Sequence, residues 1–590
     1  MMYLMDPNEN VKLLHTDNHY TYALENELLD WGTGEYTVCN KNNNLHIKIW
    51  ENMHGAISRQ NIDETFAHIF NSNKSKFELT DKYVLSSPPN DYEKFIYIKS
   101  GSLSYLILSI ISSVAIILGY VFLSGSSPFL YVYFVYVALL CAYYFINHLI
   151  IIMGKTMNYQ THIDICKLVD ISNVSVDIFL PICGEDLRVI SNTWKYVCEL
   201  DFPNYNVYVL DDGDSREVES LCIMHDFNYI VRDDRPTLKK SGNMRNAFKK
   251  TDGKYILVLD ADFVPRKDFL KETIPLMEHD EKIGILQTPQ YFRNSDNQSW
   301  LEKGAAGLQE VFYRVVQISR NNFNAAMCVG TSAVYRRDAL ARFGGSAPVE
   351  HSEDVTTGLY IMNEGFKVEY LPLVLSMGVC PGEILPFFTQ QYRWAVGSFT
   401  LMLHNRALWC GQNIMCIQRI CFMNGFSYYI FHVMSQFVSS TCSVVILYFF
   451  PDQLSWFNIL FVVPSLLNDV VFHKLWTTQN VKIKVVSFDK TCKIQNIAFC
   501  YALKDAIYKT PMEWIATGNK LSNKKLSIIR LKNGLRIMFL FDGIVMAVVT
   551  LGSAWRIYQN YPYYVFLYIM LQSIYQFCLS FHIILYFVNV

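Results

Sequence analysis

Apolar positions along the chain follow two patterns. In one, charge vanishes over stretches long enough for membrane helices. In the other, short apolar runs end in Asp and Gly. Residues 100 to 154 are the clearest case of the first, with 55 residues and no Asp, Glu, Lys or Arg. A membrane helix needs about 20 apolar residues, so this stretch predicts two spans joined by a turn at Gly125–Pro128. A buried helical hairpin of a soluble core is the alternative. Uncharged runs return at 420–451, at 453–468 (ended by Asp469), at 537–555 (broken only by Asp542) and at 557–590. They predict four further spans.

The second pattern fills 171–381. Val174–Pro181, Tyr205–Asp212, Tyr229–Arg232, Tyr255–Asp262 and Gly284–Thr288 are rich in Val, Ile, Leu and Tyr and predict buried strands. Helical segments such as Asn243–Lys250 lie between them. This alternation predicts a mainly parallel α/β sheet, which binds ligands beyond the carboxyl ends of its strands.

Composition agrees with a membrane protein that carries a folded domain. The 590 residues are 51 % hydrophobic and 18 % charged, against roughly 25 % charged in soluble domains. That excludes a disordered chain. A net charge of -2 excludes nucleic-acid binding by bulk electrostatics. Fifteen scattered cysteines without a CxxC pair argue against a zinc ribbon or a secreted disulfide scaffold. Met1–Asn10 has neither a basic n-region nor an apolar h-region, so no cleavable signal peptide is expected.

Residues 1–99 hold 14 acidic and 9 basic residues. There Leu45, Ile47 and Ile49 alternate with His46 and Lys48, which predicts a half-buried strand. Lys474–Arg536 carries thirteen Lys and Arg, whereas the turns near Ser126, Asp452 and Tyr561 hold at most one. The positive-inside rule then places the basic segment in the cytosol. Paired spans bring the α/β domain and both termini there too, and the sequon Asn73-Lys74-Ser75 would stay unmodified. The expected organisation is a cytosolic region 1–99, a membrane hairpin 100–154, an α/β domain 171–383 and an interface helix 384–412. Two spans at 417–473, a cytosolic basic segment 474–536 and two spans at 537–590 follow.

Two strands deliver acids to their carboxyl ends: Asp211-Asp212-Gly213-Asp214 and Asp260-Ala261-Asp262. Each alone is compatible with a strand-end turn; together they would converge on one crevice. Asp260 and Asp262, two apart on an extended segment, would point the same way. They suit a hard divalent cation that also takes phosphate oxygens. Lys240-Ser241-Gly242-Asn243 opens a helix and suits an anion. His351-Ser352-Glu353-Asp354 predicts a helix start with Ser352 as N-cap and Gly365 as the stop. Asp354, ionised at neutral pH, could serve as a general base.

Leu385–Leu403 predicts a helix with two faces. Leu385, Phe388, Tyr392, Ala395, Phe399 and Met402 share one, suited to lipid headgroups or the flank of a span. Gln390, Arg393, Trp394 and Gly397 gather opposite, with a flat apolar plate, an anion clamp and room for close approach. An ordinary interfacial helix with snorkelling Arg and Trp is the alternative.

Taken together, these residues resemble the processive family-2 glycosyltransferases, namely cellulose synthase with chitin and hyaluronan synthases. The ordered pieces are Asp211-Asp212-Gly213, Lys240-Ser241-Gly242-Asn243, Asp260-Ala261-Asp262, Gln287-Thr288-Pro289-Gln290-Tyr291-Phe292, Ser352-Glu353-Asp354 and Gln390-Gln391-Tyr392-Arg393-Trp394. The family's PTYNE survives only at Pro181 and Glu185. Cys328-Val329-Gly330-Thr331 stands where cellulose synthases carry FFCGS, without the aromatics. Trp514-Ile515-Ala516-Thr517-Gly518 resembles the family's gating segment.

The resemblance implies a Rossmann-like GT-A domain set between transmembrane helices. It implies nucleotide contacts from Glu185, Asp211, Asp212, Lys240 and Arg393, and Mg²⁺ or Mn²⁺ on Asp260 and Asp262. Asp354 would be the base, with acceptor contacts from Trp394, Gln390, Gly330 and Thr331. The implied reaction is inverting transfer from a UDP-sugar to a growing polysaccharide, which then crosses the bilayer. UDP-glucose and a β-1,4-glucan are the first expectation. UDP-N-acetylglucosamine, a hyaluronan-type donor pair and a lipid-linked single-transfer enzyme are the alternatives. Accessory subunits or an oligomer are compatible with this scheme.

Overall fold

The computed structural model describes residues 86–589 apart from 99–102, 126, 155–156, 294–297, 455, 473–484 and 509–524, together with five short strands between residues 11 and 48. Contacts divide the chain into Met1–Leu85 and Ser86–Val590. In the first unit, strand Asn44–Lys48 pairs antiparallel with Thr37–Lys41, so a strand runs where the alternation placed one. The expected half-burial of that strand, the sequon at Asn73 and the segment Trp514–Gly518 lie outside the described residues.

The second unit is built on a seven-stranded sheet. In spatial order its strands are Lys367–Tyr370, Ile283–Gln287, Ala333–Arg336, Tyr255–Val258, Val176–Ile182, Tyr205–Asp211 and Asn228–Ile230. Four of the six pairings are parallel; Ala333–Arg336 runs antiparallel to both its neighbours. The expected strands are therefore present within a few residues, and the antiparallel insertion is an addition to the expected sheet. Val176–Ile182 is buried along its whole length. Such a strand, covered on both faces, reads as an unbroken apolar run. One layer of the core gathers Val176, Ile178, Leu180, Trp194, Leu257, Ile274 and Leu286, and the opposite layer gathers Phe179, Leu210, Ile256, Ile285 and Leu359.

Among the described residues five helices are long and apolar enough to cross a membrane: Leu106–Ser124, Pro128–Ile152, Cys416–Phe449, Lys532–Tyr558 and Tyr563–Leu585. The run 453–468 forms helix Trp456–Phe472, which has 17 residues and Pro464 inside. At 1.5 Å per residue its described part is about 25 Å long. The helix packs against Leu103–Ser124, with Phe122 within 5.7 Å of the Phe457 and Phe461 rings.

Helix Ile384–His404 forms as expected. Its apolar face lies against protein, in part on the flank of the apolar helix Cys416–Phe449. Leu385, Phe388, Tyr392, Ala395 and Phe399 are buried against Ile494, Ala498 and Phe499 of helix Val485–Tyr508 and Val433 of helix Cys416–Phe449. Polar bonds lock that seam: Tyr392 donates to Asp505 at 2.8 Å, and the Gln495 amide donates to Gln391 at 2.7 Å.

Candidate active site

Strand Tyr205–Asp211 ends in a carboxylate whose oxygens are already engaged. Asp211 is buried; Oδ1 accepts the Gly213 N–H at 2.7 Å, and Oδ2 accepts the Ser215 N–H at 2.9 Å and the Tyr229 hydroxyl at 2.8 Å. Asp212 is gripped by Arg232, whose Nε and Nη2 each donate to one carboxylate oxygen at 2.8 Å. Arg232 also donates to the carbonyls of Thr237 at 2.6 Å and Lys239 at 2.9 Å. A Cβ on Gly242 would overlap its guanidinium, so glycine is required there. The pair thus fixes the loop that opens helix Lys239–Lys250.

Lys240, on the first turn of that helix, reaches the second acid cluster. Its Nζ donates to Asp260 Oδ1 at 2.5 Å and to the Gly330 carbonyl at 2.9 Å. Burial works against its charge, but Asp260, Glu353 and Asp354 outweigh burial and hold its pKa above the ordinary value. The strand itself ends at Val258, so Asp260 and Asp262 stand on a turn beyond it, closed by the Phe263 N–H on the Asp260 carbonyl at 3.0 Å. The extended spacing expected for the pair is thus replaced by a turn. Asp262 is half-buried, and burial together with the charge of Asp260 pushes it up to about 7. Glu185 accepts the Cys183 N–H at 2.5 Å; burial raises its pKa, and the charges of Asp260 and Asp211 add to that rise.

Asp354 lies on the first turn of helix Glu353–Asn363. Its Oδ1 accepts the Val355 N–H at 2.7 Å, and burial and the neighbouring Glu353 push it up to about 7. Gly330, at φ +79°, faces it so closely that a Cβ would stand 3.1 Å from Oδ2. Ser352 holds the N-cap position but makes no capping bond, because its backbone is left-handed (φ 52°, ψ 43°). Capping needs an extended backbone to aim the hydroxyl at the helix amides. The Ser352 side chain packs instead on Gly397, where a Cβ would overlap its hydroxyl. Gly365 stops the helix at φ +89°, as expected.

That contact brings the polar face of the interface helix to the crevice. Arg393 feels the charges of Glu353 and Asp260, while burial lowers its pKa. Gln390 and Trp394, half-buried, lie on the same face. Thr331 is buried and braces the crevice: its hydroxyl accepts the Asp260 N–H at 2.8 Å and its carbonyl accepts the Gln287 amide at 2.9 Å. Gln287, also fully buried, takes the Val329 N–H at 2.9 Å.

The crevice thus unites Glu185, Lys240, Asp260, Asp262, Gly330, Thr331, Asp354 and Arg393. Asp211 and Asp212 support it from the adjoining loop. Sequence reasoning missed three contributors. Glu353 stands in the motif beside Asp354 but carries no assigned role in the sequence reading. Arg232 is only a strand end in the sequence reading, although an Arg 20 residues after Asp212, at the next strand end, is a candidate partner. The bracing role of Gln287 left no signal beyond its motif.

Residues 177–344 match the family described as glycosyl transferase family 2. The chain is 31 % identical over 266 residues to cellulose synthase 2 of Novacetimonas hansenii, covering 44 % of this chain and 16 % of that protein. It is 32 % identical over 265 residues to the cellulose synthase catalytic subunit [UDP-forming] of Pseudomonas fluorescens (strain SBW25), covering 44 % of this chain and 35 % of that one. The match therefore spans only 16 % and 35 % of these relatives' length. Among solved structures, a mannosyltransferase of Pyrobaculum calidifontis in complex with GDP-Man and Mn²⁺ superposes at TM-score 0.42 and 14 % identity, over 64 % of this chain and 99 % of that one.

Proposed function

We propose that this chain, a cellulose synthase-like member of glycosyl transferase family 2 with a GT-A α/β domain, is a membrane-embedded processive polysaccharide synthase. Its donor would be a UDP-sugar, UDP-glucose first, and its product a β-1,4-linked glucan passed across the bilayer. One observation carries the reading: Lys240, Asp260, Asp354 and the Arg393 of an interface helix converge on a single crevice beyond the carboxyl end of the sheet's central strand. A single-transfer enzyme needs the carboxylates but has no use for an aromatic and an arginine brought in on a membrane-flanking helix.

The residues present fit a divalent cation. Asp262 and Asp260 lie together half-buried, and burial together with the charge of Asp260 holds Asp262 near 7. A hard cation relieves such repulsion. Asp260 and Asp262 would hold Mg²⁺ or Mn²⁺, which supplies charge neutralisation for a departing diphosphate. Lys240 and Arg393 add positive charge on the same side. Asp354 takes the proton of the acceptor hydroxyl as that oxygen attacks the sugar's anomeric carbon from the face opposite UDP, which inverts the configuration. A base near 7 is well matched to that task at cytosolic pH. Trp394 and Gln390 hold the acceptor sugar, and Gly330 leaves room for it beside Asp354.

The basic segment 474–536 favours a cytosolic crevice and cytosolic termini. Feeding membranes that contain the protein a panel of UDP-sugars, then digesting the product with cellulase, chitinase or hyaluronidase, tests the reading. A cellulase-sensitive polymer from UDP-glucose supports it. Polymer from UDP-N-acetylglucosamine alone replaces the donor, and short lipid-linked products overturn processivity.

A further inference from the structure

Helix Tyr159–Leu168 enters the α/β domain just after the second membrane helix and packs beside helix Phe269–His279. His162 and Cys166, one turn apart, face Glu272. His162 Nε2 lies 2.6 Å from Glu272 Oε2 and 3.5 Å from Cys166 Sγ, and the three atoms lie within 4.8 Å of one another. None of the three takes part in the crevice.

Hydrogen bonding accounts for only one of the two contacts at Nε2. Nε2 carries either one proton or one lone pair, so it serves the carboxylate or the thiol but not both. A tetrahedral zinc ion, with Zn–N near 2.0 Å and Zn–S near 2.3 Å, sets nitrogen and sulfur about 3.5 Å apart. The observed His–Cys separation is 3.5 Å, and the carboxylate oxygen, 2.6 Å from Nε2, has to draw back by about 0.7 Å to take a tetrahedral position. The second oxygen of Glu272 is held by Lys94 at 2.5 Å, and Lys94 also pairs with Asp268 at 2.7 Å. That leaves Oε2 for a cation and balances part of the site's negative charge. Cys166 is partly exposed, which provides a way in.

We propose that His162, Cys166 and Glu272 form a zinc site, with water in the fourth position, that fastens the helix arriving from the membrane to the α/β domain. Imidazole and thiolate favour zinc over the magnesium or manganese that an all-oxygen pair would take. Binding releases the Cys166 thiol proton to water and leaves a zinc–thiolate bond.

The test uses the full-length protein in detergent, dialysed against zinc and then washed in magnesium buffer. Elemental analysis should find about one zinc per chain, lost in Cys166→Ser and in His162→Gln. Cobalt-loaded wild type should show a sulfur-to-cobalt charge-transfer band that Cys166→Ser abolishes, while UDP binding persists in both variants. Equal zinc in wild type and Cys166→Ser, or no cobalt–sulfur band, would mean a histidine–glutamate ion pair only and would overturn the site. Because Cys166→Ser removes only a partly exposed thiol, that variant decides the matter even if His162→Gln misfolds. Metal content is read independently of any transferase activity.

Discussion

Two acid clusters stand at the ends of two neighbouring parts of the same sheet, and they do opposite things. Asp211 and Asp212 are satisfied by their own protein: backbone amides, Tyr229 and the Arg232 fork take their oxygens. Asp260 and Asp262 share space with Glu185, and Asp354 shares it with Glu353. In each group one carboxyl is driven up to about 7, and Lys240 is the cation bonded to Asp260. The first cluster is settled and holds a loop. The second is under electrostatic stress that a ligand would relieve. Strand-end acids of equal appearance are thus separated by what surrounds them, because unrelieved charge is what a site for cations and phosphates needs.

That contrast can be broken most directly by exchanging charge for amide in each cluster. Asp260→Asn should lower transfer by about 10³-fold, the upper range for one preorganised electrostatic group, and abolish cation-dependent UDP binding. Asp211→Asn should leave kcat within a few-fold of wild type. It should instead cost about 1–3 kcal/mol of stability, because buried donors lose their acceptor, as read by the melting temperature. If Asp211→Asn silences chemistry in a protein of unchanged melting temperature, the division between the clusters fails.

The Ser352–Gly397 contact offers the next largest effect. Gly397→Ala should push the interface helix off the Asp354 helix and lower kcat by about 10²-fold, the cost of misplacement by roughly an ångström. Ser352→Gly should restore much of it, a rescue that simple misfolding would not allow.

A smaller effect is expected in pH dependence. Asp354 must be ionised to accept a proton, so kcat/KM should fall as pH drops through about 7. Glu353→Gln removes a like charge and should move that limb to lower pH. The smallest effect concerns stability. Asp262 has a folded pKa above its unfolded one, so the native state binds the extra proton. Stability is full at pH below the ordinary carboxyl range and is lost as pH rises towards about 7. Asp262→Asn should therefore raise the melting temperature by a few degrees at pH 8 and leave it unchanged at pH 4.

Much of this was legible in the sequence because buried parallel strands must be apolar throughout. Val176–Ile182 and Tyr255–Val258 could hardly be read otherwise. Ala333–Arg336 was missed because four residues ending in a charge carry no pattern, and its antiparallel direction is set by partners far along the chain. The polar face of Ile384–His404 was legible from periodicity. What covers its apolar face was not, because helix Val485–Tyr508 carries Asp489, Lys490, Lys493, Lys504 and Asp505 and reads as part of a basic cytosolic stretch. The site residues were legible by type and order. The split between spent and stressed carboxylates depends on Arg232, Tyr229 and Glu353, whose roles exist only in three dimensions.

The central claim, that Asp354 is the base of a polymerising transferase, is tested most directly by comparing membranes carrying wild type and Asp354→Asn. Sugar incorporation from labelled UDP-glucose into polymer and UDP binding are measured on the same preparations. Loss of incorporation by about 10²–10⁴-fold with UDP binding retained is the predicted result. Incorporation at the wild-type rate in Asp354→Asn would contradict it.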